Sequence, residues 1–139
     1  MRNIALISCV SKKLSDNAPA KDLYISPLFR LNLKYARQLS PTEIYVLSAK
    51  YGLVDLNEEI DPYNVTLNNM PARERKEWAQ LVISQLKKQF DLDQIHFIIL
   101  AGQKYRQYLL PHFKSYEIPL LGLTIGYQLQ FLKSQTDHE

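Results

Sequence analysis

The residues best equipped for chemistry lie in one stretch, Leu47 to Tyr63, which reads LSAKYGLVDLNEEIDPY. It carries a hydroxyl at Ser48, a cation at Lys50, a phenol at Tyr51 and the acids Asp55, Glu58, Glu59 and Asp61. A carboxylate held beside a sugar can orient water or stabilise a developing cation, and nearby donors can assist a leaving base. Asp61 and Ser48 are therefore the candidate catalytic residues, with Glu59 as a second acid and Lys50 or Gln103 as further donors. Gly52 can take φ > 0 and turn the chain sharply. Pro62 stiffens the return and biases Asp61 towards extended geometry. Tyr51 and Tyr63 are then placed by backbone constraints, and any buried hydroxyl among them needs a partner. The same residues also fit a purely bracing role in an ordinary loop, with Asp61 or Ser48 satisfying the tyrosines.

Two other short segments resemble this one in composition. In Ser8-Cys9-Val10-Ser11-Lys12-Lys13, the lysines could hold an anion. Cys9, beside two cations, is either a nucleophile with a depressed pKa or a small core residue at a strand end. The absence of glycine here excludes a Walker loop and a dinucleotide fingerprint. In Ala101-Gly102-Gln103-Lys104-Tyr105, Gly102 permits close backbone approach to a ligand, with Gln103 and Tyr105 above it. The candidate ligand-binding residues are thus Ser8, Cys9, Lys12, Lys13, Ser48, Lys50, Tyr51, Gly52, Tyr63, Gly102, Gln103 and Tyr105. A single cysteine excludes an internal disulfide, and no Cys/His spacing suits zinc. No metal and no cofactor are expected.

Each of these segments follows a strand. Asn3 to Cys9 is a nearly continuous apolar run, the mark of a strand buried on both faces. Glu43 to Leu47 and Ile95 to Leu100 are rich in β-branched and aromatic residues, and Tyr116 to Leu120 is a weaker strand interrupted by Pro119. His96 reads as a packed or edge histidine. Leu14 to Ile25 is loop-like. Ser26-Pro27 then starts a helix to Leu39, with Leu28, Leu31, Tyr35 and Leu39 as its buried face and an amino terminus able to receive an anion. A second helix runs from Ala72 to about Gln89 on Trp78, Leu81, Val82, Leu86 and Phe90. A third runs to Leu110. The last spans Thr124 to Lys133 with Ile125, Leu129 and Leu132 inwards. Strands alternating with helices imply a parallel sheet with helices on both faces. The expected fold is an α/β three-layer sandwich with a mainly parallel four-stranded sheet in the order 2-1-3-4. That order sets the switch point between the carboxyl ends of strands one and three, and brings the three segments around one cleft.

The chain has 139 residues, enough for one domain over 1–139 with its own core. A formal charge of +3 permits nucleic-acid binding without demanding it. The amino terminus runs into a strand with no small-residue cleavage site, and no apolar run approaches membrane-spanning length. A cytoplasmic location without membrane contact is expected.

SC-V-SKK, AKDLYISPLF and LSAKYGLVDLNEEIDPYNVTL together resemble a bacterial domain family of unknown function, over most of the chain. The central element is also similar to the "LS-x-x-YG…PY" signature of YaaA-type peroxide-stress proteins. Ser48, Tyr51, Gly52, Pro62 and Tyr63 occupy the shared positions. More distantly it is similar to the amino-terminal region of archaeosine synthases, which has been compared with uracil-DNA-glycosylase-like folds. YaaA-type proteins are longer and associated with DNA binding, so this second resemblance implies a nucleic-acid partner.

Two main function classes follow. The first is a binding module for nucleic acid or a nucleotide-like anion, using Lys12, Lys13, Lys50 and Lys104 with tyrosines to stack on bases. The second is a hydrolase of N-glycosidic bonds in nucleosides or nucleic acid, using Asp61. A third, blander class is an interaction scaffold.

Overall fold

Four consecutive apolar residues, Ile4 to Ile7, set the architecture. Successive side chains on a strand point to opposite faces, so such a run needs cover on both. The computed structural model, which describes residues 1–8 and 13–137, makes this run the middle of the sheet, with all four residues fully buried. Cys9 and Lys12 lie outside the described residues.

The elements are β1 (Arg2–Ser8), β2 (Ala18–Pro19), α1 (Ala20–Leu23), α2 (Pro27–Gln38), β3 (Glu43–Ser48), β4 (Gly52–Asp55), β5 (Glu59–Ile60), α3 (Ala72–Lys87), β6 (Ile95–Leu100), α4 (Gln103–Arg106), β7 (Ser115–Glu117) and α5 (Ile125–Thr136). The main sheet has five strands in the order β4-β3-β1-β6-β7. β1 is parallel to both β3 and β6, β6 is parallel to β7, and β4 runs antiparallel to β3. β2 and β5 form a separate antiparallel pair.

The sheet therefore has one strand more than the sequence leads one to expect, and 2-1-3-4 describes only its parallel part. The extra strand, Gly52–Asp55, reads as loop in the sequence because its apolar content is two residues, Leu53 and Val54. It forms because the chain reverses tightly at Ser48–Gly52 and returns alongside β3. β7 is shorter than expected and stops before Pro119, which has no N–H to give a ladder. It is pinned to β6 by His96, whose Nδ1 is hydrogen-bonded to Ser115 Oγ (2.6 Å) and whose Nε2 is hydrogen-bonded to Glu117 Oε2 (3.3 Å).

The step from β1 to β3 and the step from β3 to β6 run in opposite directions across the sheet. Right-handed crossovers then put α2 and α3 on opposite faces. α5 packs on α2, with Tyr35 and Phe131 edge to face at 5.8 Å, while α3 packs on β4. This double cover corrects the expected helix faces. In α2 the buried residues are Phe29, Asn32, Leu33 and Ala36. Leu28, Leu31 and Tyr35 are half-buried, and Leu39 is 38% exposed. The helix meets β1 on one side and α5 on another, so the larger leucines mark its flank rather than its buried centre. In α3, Trp78, Val82 and Leu86 are buried as expected, joined by Ala79 and Ile83, but Leu81 is exposed. In α5, Leu132 is buried, whereas Ile125 is 60% exposed. Among the described residues no helix is long and apolar enough to cross a membrane.

The hairpin between β3 and β4 depends on Gly52, which is buried at φ 77°. A Cβ at this position would overlap Gln85 Oε1. That oxygen accepts the Leu53 N–H at 2.8 Å, while Gln85 Nε2 donates to Tyr51 O at 3.3 Å. Gly52→Ala is expected to cost at least about 2 kcal/mol, from left-handed strain plus the overlap, seen as a lowered Tm. Adding Gln85→Ala relieves the overlap, so the double variant is less destabilised than the two single losses added together. Simple additivity in thermal unfolding would contradict this account of the turn.

Candidate functional site

At the carboxyl ends of β1 and β6 lies a cavity of about 210 Å³. This is the switch point, where the chain leaves β1 for one side of the sheet and later returns past it. Ser8 ends β1 here, and Leu100, Ala101 and Gly102 end β6. Gly102 N–H donates to Ser8 Oγ at 3.4 Å, so the two strand ends are tied directly. Leu28, Phe29 and Asn32 of α2 line a second side, and Ile118, Leu120 and Ile125 line a third. Ser26, also in the lining, caps α2 by accepting the Phe29 N–H at 3.2 Å, with Pro27 in the first turn, as the Ser-Pro pair implies.

Of the polar residues in this lining that are absent from the candidates read from the sequence, two bear most on what it could bind. Arg106 lines the cavity and donates from Nη1 to Ala101 O at 2.8 Å, and its guanidinium makes no other hydrogen bond among the described residues. Burial pulls its guanidinium below the usual arginine pKa. It remains a cation near neutrality, because arginine starts so high. Asn32 is the other, 3% exposed on the buried face of α2. The signal for it was a lone polar residue inside the 29-32-33-36 stripe. The signal for Arg106 was weaker, a cation one turn beyond Gly102.

On the other side of β1's end, lysines and tyrosines gather. Lys13 Nζ lies 4.5 Å from the Tyr63 ring centroid and 5.8 Å from that of Tyr24, and Lys50 Nζ lies 5.2 Å from that of Tyr51. Tyr51 and Tyr63 meet edge to face at 5.8 Å. The hydroxyls of Tyr24 and Tyr63 are buried and hydrogen-bonded to each other at 2.6 Å. The segment carrying Tyr24 is held by backbone bonds to the hairpin, from Ala20 N–H to Glu58 O and from Lys21 N–H to Leu56 O. Cations over ring faces in this way are held at a surface without full desolvation.

Ser48 belongs to neither surface. It is fully buried, and its hydroxyl accepts the N–H groups of Lys50 (3.2 Å) and Tyr51 (3.0 Å), closing the turn after β3. Its carbonyl accepts Trp78 Nε1–H at 2.8 Å. Trp78 in turn meets Tyr105 edge to face at 5.6 Å. Tyr105 is buried at the cavity, with its hydroxyl 3.5 Å from both Thr66 Oγ1 and the Leu67 amide.

The structure thus brings Ser8, Gly102 and Tyr105 together at the cavity. It gathers Lys13, Lys50, Tyr51 and Tyr63 into the neighbouring cluster, and it buries Ser48 and Gly52 in the hairpin behind them. Gln103 is exposed at the start of α4 and does not line the cavity. Asp61 is exposed, accepts from Asn17 Nδ2 at 3.0 Å, and lines the cavity no more than Ser48 does. Cys9 and Lys12 fall outside the described residues. Among the described residues no group of His, Cys, Asp and Glu is arranged to hold a metal.

These contacts separate bracing from bystander residues. Tyr63→Phe and Tyr24→Phe are each expected to cost about 1–2 kcal/mol, and the double variant less than their sum, because one hydrogen bond is shared. Asp61→Asn should stay within about 0.5 kcal/mol of the parent, its bond being exposed. Chemical denaturation of the four proteins decides this, and a strongly destabilised Asp61→Asn would show that the carboxylate braces more than the exposed loop.

No curated protein and no solved structure matches the chain. Nothing in these comparisons links it to YaaA-type proteins, archaeosine synthases or uracil-DNA glycosylases. A family model described as a family of unknown function (DUF6884) matches residues 4–134, nearly the whole length, and the chain belongs to that family.

Proposed function

We propose that the chain binds a nucleotide-like anion, free or as part of a nucleic acid, with a ring seated in the cavity between β1 and β6. The observation that carries this reading is the cavity's position and chemistry. It sits at the switch point, its walls are mainly apolar, and Arg106 stands among them as a half-buried cation with unused donors. About 210 Å³ is less than the roughly 300–1,000 Å³ of drug-sized pockets, so it suits one ring system rather than a whole cofactor. A planar guanidinium at the edge of such a pocket matches a phosphate or carboxylate.

Lys13 and Lys50, held over Tyr63 and Tyr51, offer further charge on the other side of β1's end. They supply a route for a longer, single-stranded ligand, whose bases stack and whose phosphates meet cations. The likeness of LSAKYGL…IDPY to the YaaA-type signature supports the same partner class. Binding is favoured over N-glycosidic cleavage, because no carboxylate is found among the described residues of the cavity lining.

Titration calorimetry with nucleoside monophosphates and short single strands tests the reading. Arg106→Gln keeps a donor for Ala101 O but removes the charge, and is expected to weaken monophosphate binding roughly tenfold. Affinity for the strands should fall steeply between low and moderate salt, less so in a Lys13→Gln, Lys50→Gln protein. Absence of any binding at low salt would end the proposal.

A further inference from the structure

Asn32 brings to the cavity lining a buried side-chain acceptor left without a hydrogen bond among the described residues. Its side chain is 3% exposed, and its Oδ1 is buried with no hydrogen-bond partner among the described residues. Three other polar side chains of the lining are tied to the fold. Arg106 holds Ala101 O, Gln128 Nε2 donates to Leu123 O at 3.0 Å, and Ser26 Oγ accepts from Phe29. A buried acceptor without a donor is costly, and native proteins keep few of them. Leucine would fill the same place in the 29-32-33-36 stripe without that cost. The carboxamide stands beside Phe29 where the buried face of α2 meets the cavity.

The geometry points to Asn32 as the specificity determinant of the cavity, pairing with the donor–acceptor edge of a neutral, nucleobase-type ring. A carboxamide presents an acceptor and a donor side by side. Its complement is a ring edge with a donor beside an acceptor, the pattern by which asparagine reads a base bidentately. Phe29, Leu28, Leu100 and Leu120 give such a ring apolar surroundings, and the absence of charge at Asn32 suits a neutral edge. This rests on the nucleotide-binding reading and names the part of the nucleotide that the cavity reads. Arg106 supplies attraction for the anion, and Asn32 supplies discrimination among rings.

Calorimetry on the full chain can separate the two. The ligands are the 5′-monophosphates of adenosine, guanosine, uridine and cytidine, purine riboside monophosphate, whose ring lacks an exocyclic donor, and ribose 5-phosphate, which lacks a ring. The best of the four natural nucleotides is expected to bind about 10–100-fold more tightly than purine riboside monophosphate or ribose 5-phosphate. In Asn32→Leu that preference collapses while the unliganded Tm is unchanged or raised, since the orphaned acceptor is gone. Asn32→Asp keeps the shape but offers only acceptors, and should lose the preference as well. Selective binding that survives in folded Asn32→Leu or Asn32→Asp overturns the assignment. So does a wild-type protein that binds ribose 5-phosphate as tightly as any nucleotide, which leaves anion binding standing. A wild-type protein that binds none of these ligands removes both readings together.

Discussion

Everything in this molecule follows from the need to cover β1 on both faces. Ile4 to Ile7 cannot face water on either side, so one helix must pass in front of the sheet and another behind it. With right-handed crossovers, that requirement sends the chain from β1 to β3 and then back across to β6. The reversal leaves a gap at the carboxyl end of β1 that neither crossover fills. The cavity is therefore a by-product of burying the central strand. Its polar lining includes Ser8 at the end of β1, Asn32 on the first crossover and Arg106 on α4 just after β6.

Residues that look reactive in the sequence divide according to how deeply the hairpin uses them. Ser48 gives its hydroxyl to two amides and its carbonyl to Trp78, which accounts for a polar residue with no exposure. Gly52 is needed because Gln85 reaches across from α3 to hold the amide of Leu53 and the carbonyl of Tyr51. Two side chains of one helix thus fix the hairpin from outside. The tyrosines beyond it are held in their turn by each other and by the segment before α2.

The parallel strands were legible because apolar runs such as Ile95 to Leu100 are short and rich in β-branched and aromatic residues, which favours a buried strand. The turn signals were legible too, Ser26-Pro27 above all. β4 was hidden because a four-residue strand has too little pattern to stand out beside a glycine turn. The buried face of α2 is hidden for a different reason. A helix covered on two sides has no single stripe, and the small Ala36 and polar Asn32 at its centre weigh less in a pattern than the leucines on its flank. The cleft's location was readable from where strands end. Which side chains enter it was not, since that depends on the rotation of α2 and on the path after β7. Asn32 and Arg106 were missed for this reason.

Trp78 is the chain's one tryptophan, and it stands between the hairpin and the cavity. Its indole N–H is tied to the end of β3, and its ring lies against Tyr105 at the cavity. A single, largely buried indole gives a single emitting environment. The protein therefore carries its own optical probe at the junction of the hairpin and the cavity. A shift of Tyr105 reaches that indole through direct ring contact, and slackening of the β3 turn reaches it through the hydrogen bond to Ser48. The fluorescence of the unlabelled chain reports on both sides of the site at once.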